Sequence, residues 1–199
     1  FKDELKFEPT TDQNQLFEKL SNFILDKDQN KVFLLNGYAG TGKTSSISAV
    51  VKALKKLQIK TFLLAPTGRA AKVFSHYSAQ AAYTIHKKIF RQRSSSDGFG
   101  LFSLDKNLHK DVYFIVDESS MIADSNSENS IFGSGRLLSD LIEYVYTGKN
   151  CKLILIGDTA QLPPVGLDLS PALEKETLEG FNLTVANIEL RQVVRQSLL

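Results

Sequence analysis

The chain has 199 residues, 42% hydrophobic and 23% charged, which supplies enough apolar material for a folded core and excludes a disordered polymer. Its net charge is only +2, so bulk electrostatics give no case for nucleic acid, and any such case must rest on where Lys and Arg stand. Cys151 is the sole cysteine, which excludes an internal disulfide or a multi-cysteine metal site and favours a reducing, cytoplasmic setting; no apolar run approaches the ~18 residues of a membrane span.

The opening "FKDELKFEPT" has no apolar signal core and no initiating Met. The end, "VVRQSLL", has no tail, and both ends read as those of a piece of something longer. "PTTDQNQLFEKLSNFIL" predicts a helix with Leu16, Leu20, Phe23 and Ile24 on one face, and Thr10 with Gln13 fits a capping box. "KVFLLNG" predicts a short apolar strand. "SSISAVVKALKKL" predicts a helix with Ile47, Val50, Val51, Leu54 and Leu57 inward and Lys52, Lys55 and Lys56 outward. "TFLLA" is a further strand, and "RAAKVFSHYSAQAAYTIHKKIF" reads as two short helices. "VYFIV" and "KLILI" are strands on either side of a helix, "LLSDLIEYVY". "SPALEK" begins a helix with Ser170 as cap and Pro171 in the first turn, and "TVANIEL" alternates like a last strand. Strands that are apolar throughout and separated by helices predict an α/β fold, a mostly parallel central sheet covered on both faces. Two Ser- and Gly-rich stretches, "RQRSSSDGFG" and "ADSNSENSIFGSG", read as surface loops.

"GYAGTGKT", residues 37–44, matches the phosphate-binding pattern G-x-x-x-x-G-K-[ST] in full, between an apolar strand and an amphipathic helix. Gly37, Gly40 and Gly42 let the backbone curl so that its N–H groups, with those of Thr41 and Ser45, face phosphate oxygens at the positive end of the new helix. Lys43 can reach the β- and γ-phosphates, and the Thr44 hydroxyl can ligate Mg²⁺. The strand "VYFIVDESS" ends in Asp117-Glu118. Asp117 suits the metal, directly or through water, and Glu118 suits polarising an attacking water, which points to ATP hydrolysis.

The strand "KLILIGDTAQLPPVG" runs straight into Gly157, Asp158 and Gln161. Ligands of parallel sheets lie beyond the carboxyl ends of the strands, so these residues should emerge beside the phosphates. An amide such as Gln161 can bond the γ-phosphate or the water and lose that bond on cleavage, a difference of about 1 kcal/mol or more. The stiff "LPPVG" behind it would carry that change elsewhere, which suits a motor.

With these motifs in this order, the chain from about residue 9 to 196 resembles the first RecA-like motor domain of superfamily 1 helicases, in the RecD-like (exodeoxyribonuclease V alpha subunit-like) branch. The resemblance implies a three-layer RecA-like P-loop NTPase fold, with ATP and Mg as cofactors. It also implies movement on single-stranded DNA, 5′ to 3′, with RNA left open as the track. "TTDQNQLF" resembles the adenine-reading Q motif with Gln13 as reader, "GYAGTGKT" motif I, "VDESSM" motif II and "GDTAQLPPVG" motif III. "VVRQ" resembles motif IV, whose arginine, here Arg195, would touch the γ-phosphate. "LLAPTGRAA" resembles motif Ia and "TIH" motif Ib, which implies nucleic-acid contacts by Pro66, Thr67, Gly68, Arg69, Thr84 and His86. The insert at 91–110 occupies the place of a β-hairpin wedge, with Phe99 as a stacking candidate and Phe102 as a residue that packs the loop onto the domain. Motifs V and VI are not found, so the resemblance implies a second RecA-like domain of the same protein as partner, and nuclease or repair subunits as companions. Alone, the chain is expected to bind nucleotide weakly and hydrolyse it poorly.

Other readings stay open on the residues alone. A P-loop ATPase that acts as a switch or remodels proteins explains the cradle and Asp117-Glu118 but not "APTGRAA" and "TIH". A small-molecule kinase needs an acceptor pocket and an Arg-bearing lid that cannot be read here. A binding module without catalysis sits poorly with intact Lys43, Thr44, Asp117 and Glu118.

Overall fold

In the computed structural model, residues 1–5, 7–92, 101–124 and 131–194 are described. Helix α1 (Thr11–Leu25) starts at the expected capping box: Thr10 Oγ1 accepts from Gln13 N at 3.2 Å, and Gln13 Oε1 accepts from Thr10 N at 3.0 Å. At its far end the buried Lys152 donates to the carbonyls of Phe23 (3.1 Å) and Asp26 (2.5 Å), so the orphan carbonyls of the last turn are satisfied by a cation.

The chain continues through β1 (Lys31–Gly37), α2 (Lys43–Lys56), β2 (Lys60–Ala65), α3 (Gly68–Ser78), β3 (Ala82–Thr84) and α4 (Ile85–Ile89). A small antiparallel pair follows, β4 (Phe90–Gln92) with β5 (Phe102–Leu104). Then come β6 (Lys110–Val116), α5 (Leu137–Thr147), β7 (Lys149–Gly157), α6 (Lys175–Glu179) and β8 (Thr184–Leu190). Six strands form one sheet in the order β3-β2-β6-β7-β1-β8, and every neighbouring pair is parallel.

Period-two alternation assigns the two faces. On β1, Phe33 and Leu35 join a core with Leu16, Leu20 and Phe23 of α1, Val50 and Leu54 of α2, and Phe74 of α3. Val32 and Leu34 join the opposite core with Ile85 of α4, Leu138, Leu141 and Val145 of α5, and Leu178 of α6. This is the expected three-layer α/β, RecA-like arrangement, with a parallel sheet buried on both sides.

Three local expectations are corrected. The segment read as two short helices contains the edge strand β3 between them: α3 ends at Ala79 in left-handed geometry, and Ala82, Tyr83 and Thr84 then pair with Leu63, Leu64 and Ala65. Three residues are too few to show strand periodicity, and only the edge of β2 makes them a strand. "SPALEK" starts only a 3₁₀ helix: Ser170 stands at its N-cap position and Pro171 in its first turn, but the Ser170 side chain makes no capping bond. Pro171–Leu173 form a single 3₁₀ turn, Glu174 is extended, and α6 begins after it. The Ser170 hydroxyl instead donates to Ser120 O at 2.9 Å. Leu57, expected inward, is 66% exposed because α2 ends at Lys56 and Leu57 is its C-cap.

Candidate active site

β6, β7 and β1 are consecutive in the sheet, with Val116 opposite Leu155 and Asn36 opposite Gly157. Their carboxyl ends therefore open onto one rim, and the three loops that leave them carry Gly37 to Thr44, Asp117-Glu118 and Asp158 to Gln161.

In the first loop Gly40 and Gly42 have φ of +79° and +80°. Gly42 is the N-cap of α2, and no side chain caps that helix, whereas Thr10, Thr67 and Thr84 cap α1, α3 and α4. An uncapped first turn is ready for an anion. Thr41 is buried, and its hydroxyl donates to Tyr38 O at 2.8 Å, which pins the loop; Thr44 and Ser45 are exposed. The Lys43 ammonium folds back onto Gly37 O, Tyr38 O (3.0 Å) and Asp158 Oδ2 (3.1 Å). A phosphate entering the loop competes with these oxygens for the same cation. Gln13 packs under the loop, fully buried, with Nε2 donating to Ser46 Oγ at 3.1 Å and Oε1 committed to the capping box. The 191–194 segment closes over it: Asp12 Oδ2 accepts from Arg191 N and Gln192 N, both at 2.8 Å, and Val194 N donates to Gly40 O at 3.0 Å. Arg195 lies outside the described residues.

Burial pushes the Asp117 carboxyl above the usual carboxylate range, against the pull of a hydrogen bond from Tyr77 and the charge of Lys43. Tyr77 Oη donates to Asp117 Oδ2 at 2.5 Å. Burial, then the Asp117 charge, hold that phenol well above its ordinary value, so it acts as a donor. Glu118 is also raised, by burial first and then by Asp117, while a hydrogen bond from Gln161 opposes the shift. Its backbone sits at φ 55°, ψ 37°, a left-handed conformation that costs a non-glycine residue about 1–2 kcal/mol. It turns the chain sharply at the strand end, into a 3₁₀ turn.

The third loop joins the other two. Asp158 is buried, holds Lys43 through Oδ2, takes Ala160 N on Oδ1 at 3.0 Å and accepts Gln161 N on its carbonyl at 3.1 Å. Gln161 Oε1 accepts from Ser120 Oγ at 2.7 Å. Hydrogen bonds thus run from Lys43 through Asp158 and Gln161 to Ser120, two residues after Glu118. Beyond it, Leu162 and Val165 are 88% and 101% exposed.

These groups fit ATP and Mg²⁺ chemically. An uncapped helix start and a lysine suit a polyphosphate, and the hydroxyl of Thr44 with the carboxylate of Asp117 suits a hard, oxygen-seeking cation.

The segments with the polar "PTGR" and "TIH" strings lie side by side. Thr67 Oγ1 caps α3 by accepting Ala70 N, and Thr84 Oγ1 caps α4 by accepting Lys87 N, both at 3.2 Å. Between them is an open groove of about 540 Å³ lined by Gly68, Lys72, His76, Tyr83, Thr84 and Lys87. Pro66 is half-buried beside it in sequence, and Arg69 is exposed. His86 is not part of the groove lining: its ring packs against Phe132 (4.9 Å) and Phe90 (5.7 Å), and burial lowers its pKa. Arg91 and Gln92 pair with Ser103 and Phe102 as the two arms of the insert, and Phe102 stacks on Phe132 at 4.6 Å. Phe102 thus packs the insert onto the domain, as expected, while Phe99 lies outside the described residues.

Sequence reading missed Tyr77, Ser46 and Ser120. Tyr77 stands near the end of α3, between the "LLAPTGRAA" and "TIH" strings but in neither, and no spacing signals it. Ser46 follows the phosphate-binding string by two residues and Ser120 lies within "VDESSM", but they acquire partners only across 33 and 41 residues of chain.

A family model described as AAA domain matches residues 23–167. The chain belongs to that family. Within it, the RecD-like superfamily 1 helicase motor domain is the branch that the relatives support. The chain is 29% identical over 192 residues to the ATP-dependent RecD2 DNA helicase of Deinococcus radiodurans, covering 95% of this chain and 23% of that protein. It is 32% identical over 173 residues to the RecBCD enzyme subunit RecD of Buchnera aphidicola subsp. Acyrthosiphon pisum, covering 77% and 26%. It therefore spans about a quarter of the length of these curated relatives. The fold is similar to that of a Pif1 helicase from Bacteroides crystallised with ADP-AlF3 and ssDNA, with a TM-score of 0.56 and 21% identity over 96% of this chain and 44% of that one. Among the described residues, no helix of this AAA domain is long and apolar enough to cross a membrane.

Proposed function

We propose that this AAA domain is the ATP-hydrolysing motor of a DNA helicase, coupling turnover to movement on single-stranded DNA in the 5′ to 3′ sense. The observation that carries the reading is the hydrogen-bonded connection from Lys43 through Asp158 and Gln161 to Ser120, which joins the cradle, the carboxylate strand and the stiff third loop at one rim. A simple phosphate-binding fold needs the first two of these, and a motor needs the third.

In this reading the first turn of α2, with Gly37, Gly40, Thr41, Gly42 and Ser45, receives the phosphates, and Lys43 leaves its carbonyl partners to reach them. Thr44 and Asp117 hold Mg²⁺, which when bound neutralises phosphate charge. Glu118, set apart from Asp117 by its turned backbone, orients the attacking water and takes its proton. Gln13 is fully buried with both amide atoms engaged, so to read the adenine it must give up its bond to Ser46, and Arg195 reaches the γ-phosphate. Gln161, already within bonding distance of Ser120, exchanges that partner for the γ-phosphate or the water and so reports the state of the nucleotide. Pro66, Thr67, Gly68, Arg69 and Thr84 contact the track's backbone, the groove between α3 and α4 follows it, His86 seats α4 from behind through Phe90 and Phe132 rather than reaching the track, and the insert, with Phe99, splits the duplex. A second RecA-like domain completes the nucleotide cage, and nuclease or repair subunits are the companions expected of this branch.

The test is ATPase activity with and without single-stranded DNA or RNA, with Lys43→Ala as control. Stimulation by DNA that vanishes in Lys43→Ala supports the reading. DNA-independent turnover, together with no DNA binding at low salt, overturns it in favour of an ATPase switch.

A further inference from the structure

Tyr77 is the residue outside the motifs that reaches the acidic pair. Its hydroxyl donates to Asp117 Oδ2 at 2.5 Å, its ring stacks on Phe74 at 5.1 Å and 27°, and its carbonyl accepts from Ser48 Oγ at 2.8 Å. Ser48 stands on α2, one turn beyond Thr44. The phenol is therefore fixed at both ends: its backbone is tied to the helix that carries Lys43 and Thr44, and its oxygen to Asp117. The rest of α3 is held by the core through Phe74, which is fully buried.

A carboxylate at the end of a strand can swing about its side-chain torsions, and each orientation presents different oxygens to a cation. A donor that occupies a lone-pair position on Oδ2 removes that freedom before any cation arrives. Groups that orient a metal ligand in this way weaken metal binding roughly 10- to 100-fold when lost.

We propose that Tyr77 is a positioning residue for the divalent-cation site, fixing Asp117 through its Oδ2. The inference rests on the reading above that Asp117 is the metal carboxylate. Tyr77 links that carboxylate to α3, the helix that begins at Gly68 with Thr67 as its N-cap.

Tyr77→Phe keeps the ring and its stacking and removes only the hydroxyl. The assay is binding of a fluorescent ATP analogue to the protein, first in EDTA and then as Mg²⁺ is titrated, with Asp117→Asn in parallel. Tyr77→Phe is expected to bind the analogue in EDTA as the parent does and to need roughly tenfold more Mg²⁺ for half-maximal binding. A hydroxyl that merely satisfies a buried phenol would leave the Mg²⁺ midpoint in place, and so would overturn the proposal. Equal weakening in EDTA and in Mg²⁺ would overturn it too, since the effect would then belong to the cradle. If Asp117→Asn shifts the Mg²⁺ midpoint and Tyr77→Phe does not, only the role of Tyr77 falls. If neither shifts it, the metal assignment of Asp117 falls with it.

Discussion

Gly42→Ala tests how the cradle is held from below. The added Cβ would stand 2.5 Å from Gln13 Nε2 and 2.9 Å from Val194 Cγ2, at a residue whose φ is +80°. The left-handed backbone alone costs alanine about 1–2 kcal/mol. Gln13 cannot stay where it is, and with no exposed surface it has no water to turn to. Its 3.1 Å bond to Ser46 is lost, at about 1 kcal/mol net or up to ~3 kcal/mol if a buried donor is stranded. The total is about 2–5 kcal/mol. In a domain of this size each kcal/mol moves the melting midpoint by about 2–4 °C, so a drop of about 4–20 °C is expected in thermal unfolding without nucleotide. The contact with Gln13 has a separate signature. In Gly42→Ala with Gln13→Ala the clash is relieved, so the double variant should be more stable than the sum of the single losses implies. A Gly42→Ala protein that loses less than ~0.5 kcal/mol, or strict additivity in the double variant, would refute the reasoning, because the loop would then be free to shift without disturbing Gln13.

Gln161→Ala should uncouple the motor: ATP turnover persists in part while strand separation falls further, and equal losses in the two assays would place Gln161 in the chemical step alone. His86 gives a pH dependence. Burial among Phe90 and Phe132 lowers its folded pKa against the opposing charge of Asp140, so between that lowered value and the ordinary ~6.5 the unfolded chain binds the extra proton. Its contribution to stability is complete above ~6.5 and is lost as the pH falls through that window. His86→Phe should therefore gain on the parent as melts are taken from pH 8 to pH 5, and a constant gap between the two across that range would contradict the burial effect.

Much of the site could be read from the chain because its parts are local. The cradle needs glycines and Lys43-Thr44 at fixed spacing after a strand, and the acidic pair needs only a strand end, so both are visible within a few residues. The capping box at Thr10 and Gln13 is local in the same way. Five strand segments, most of them apolar throughout and separated by helical ones, already point to a parallel sheet, since such strands must be covered on both faces. Sequence does not dictate the order in which those strands lie. That β7 enters between β6 and β1, and so carries Asp158 to Lys43 and Gln161 to Ser120, follows from packing two helical layers over one sheet. The short edge strand β3 exists only because β2 offers it an open ladder. Tyr77 is the clearest case of a role set by the tertiary fold: nothing near it in the chain points to a carboxylate 40 residues away, and only the seating of α3 against α2 and the sheet brings its hydroxyl to Asp117.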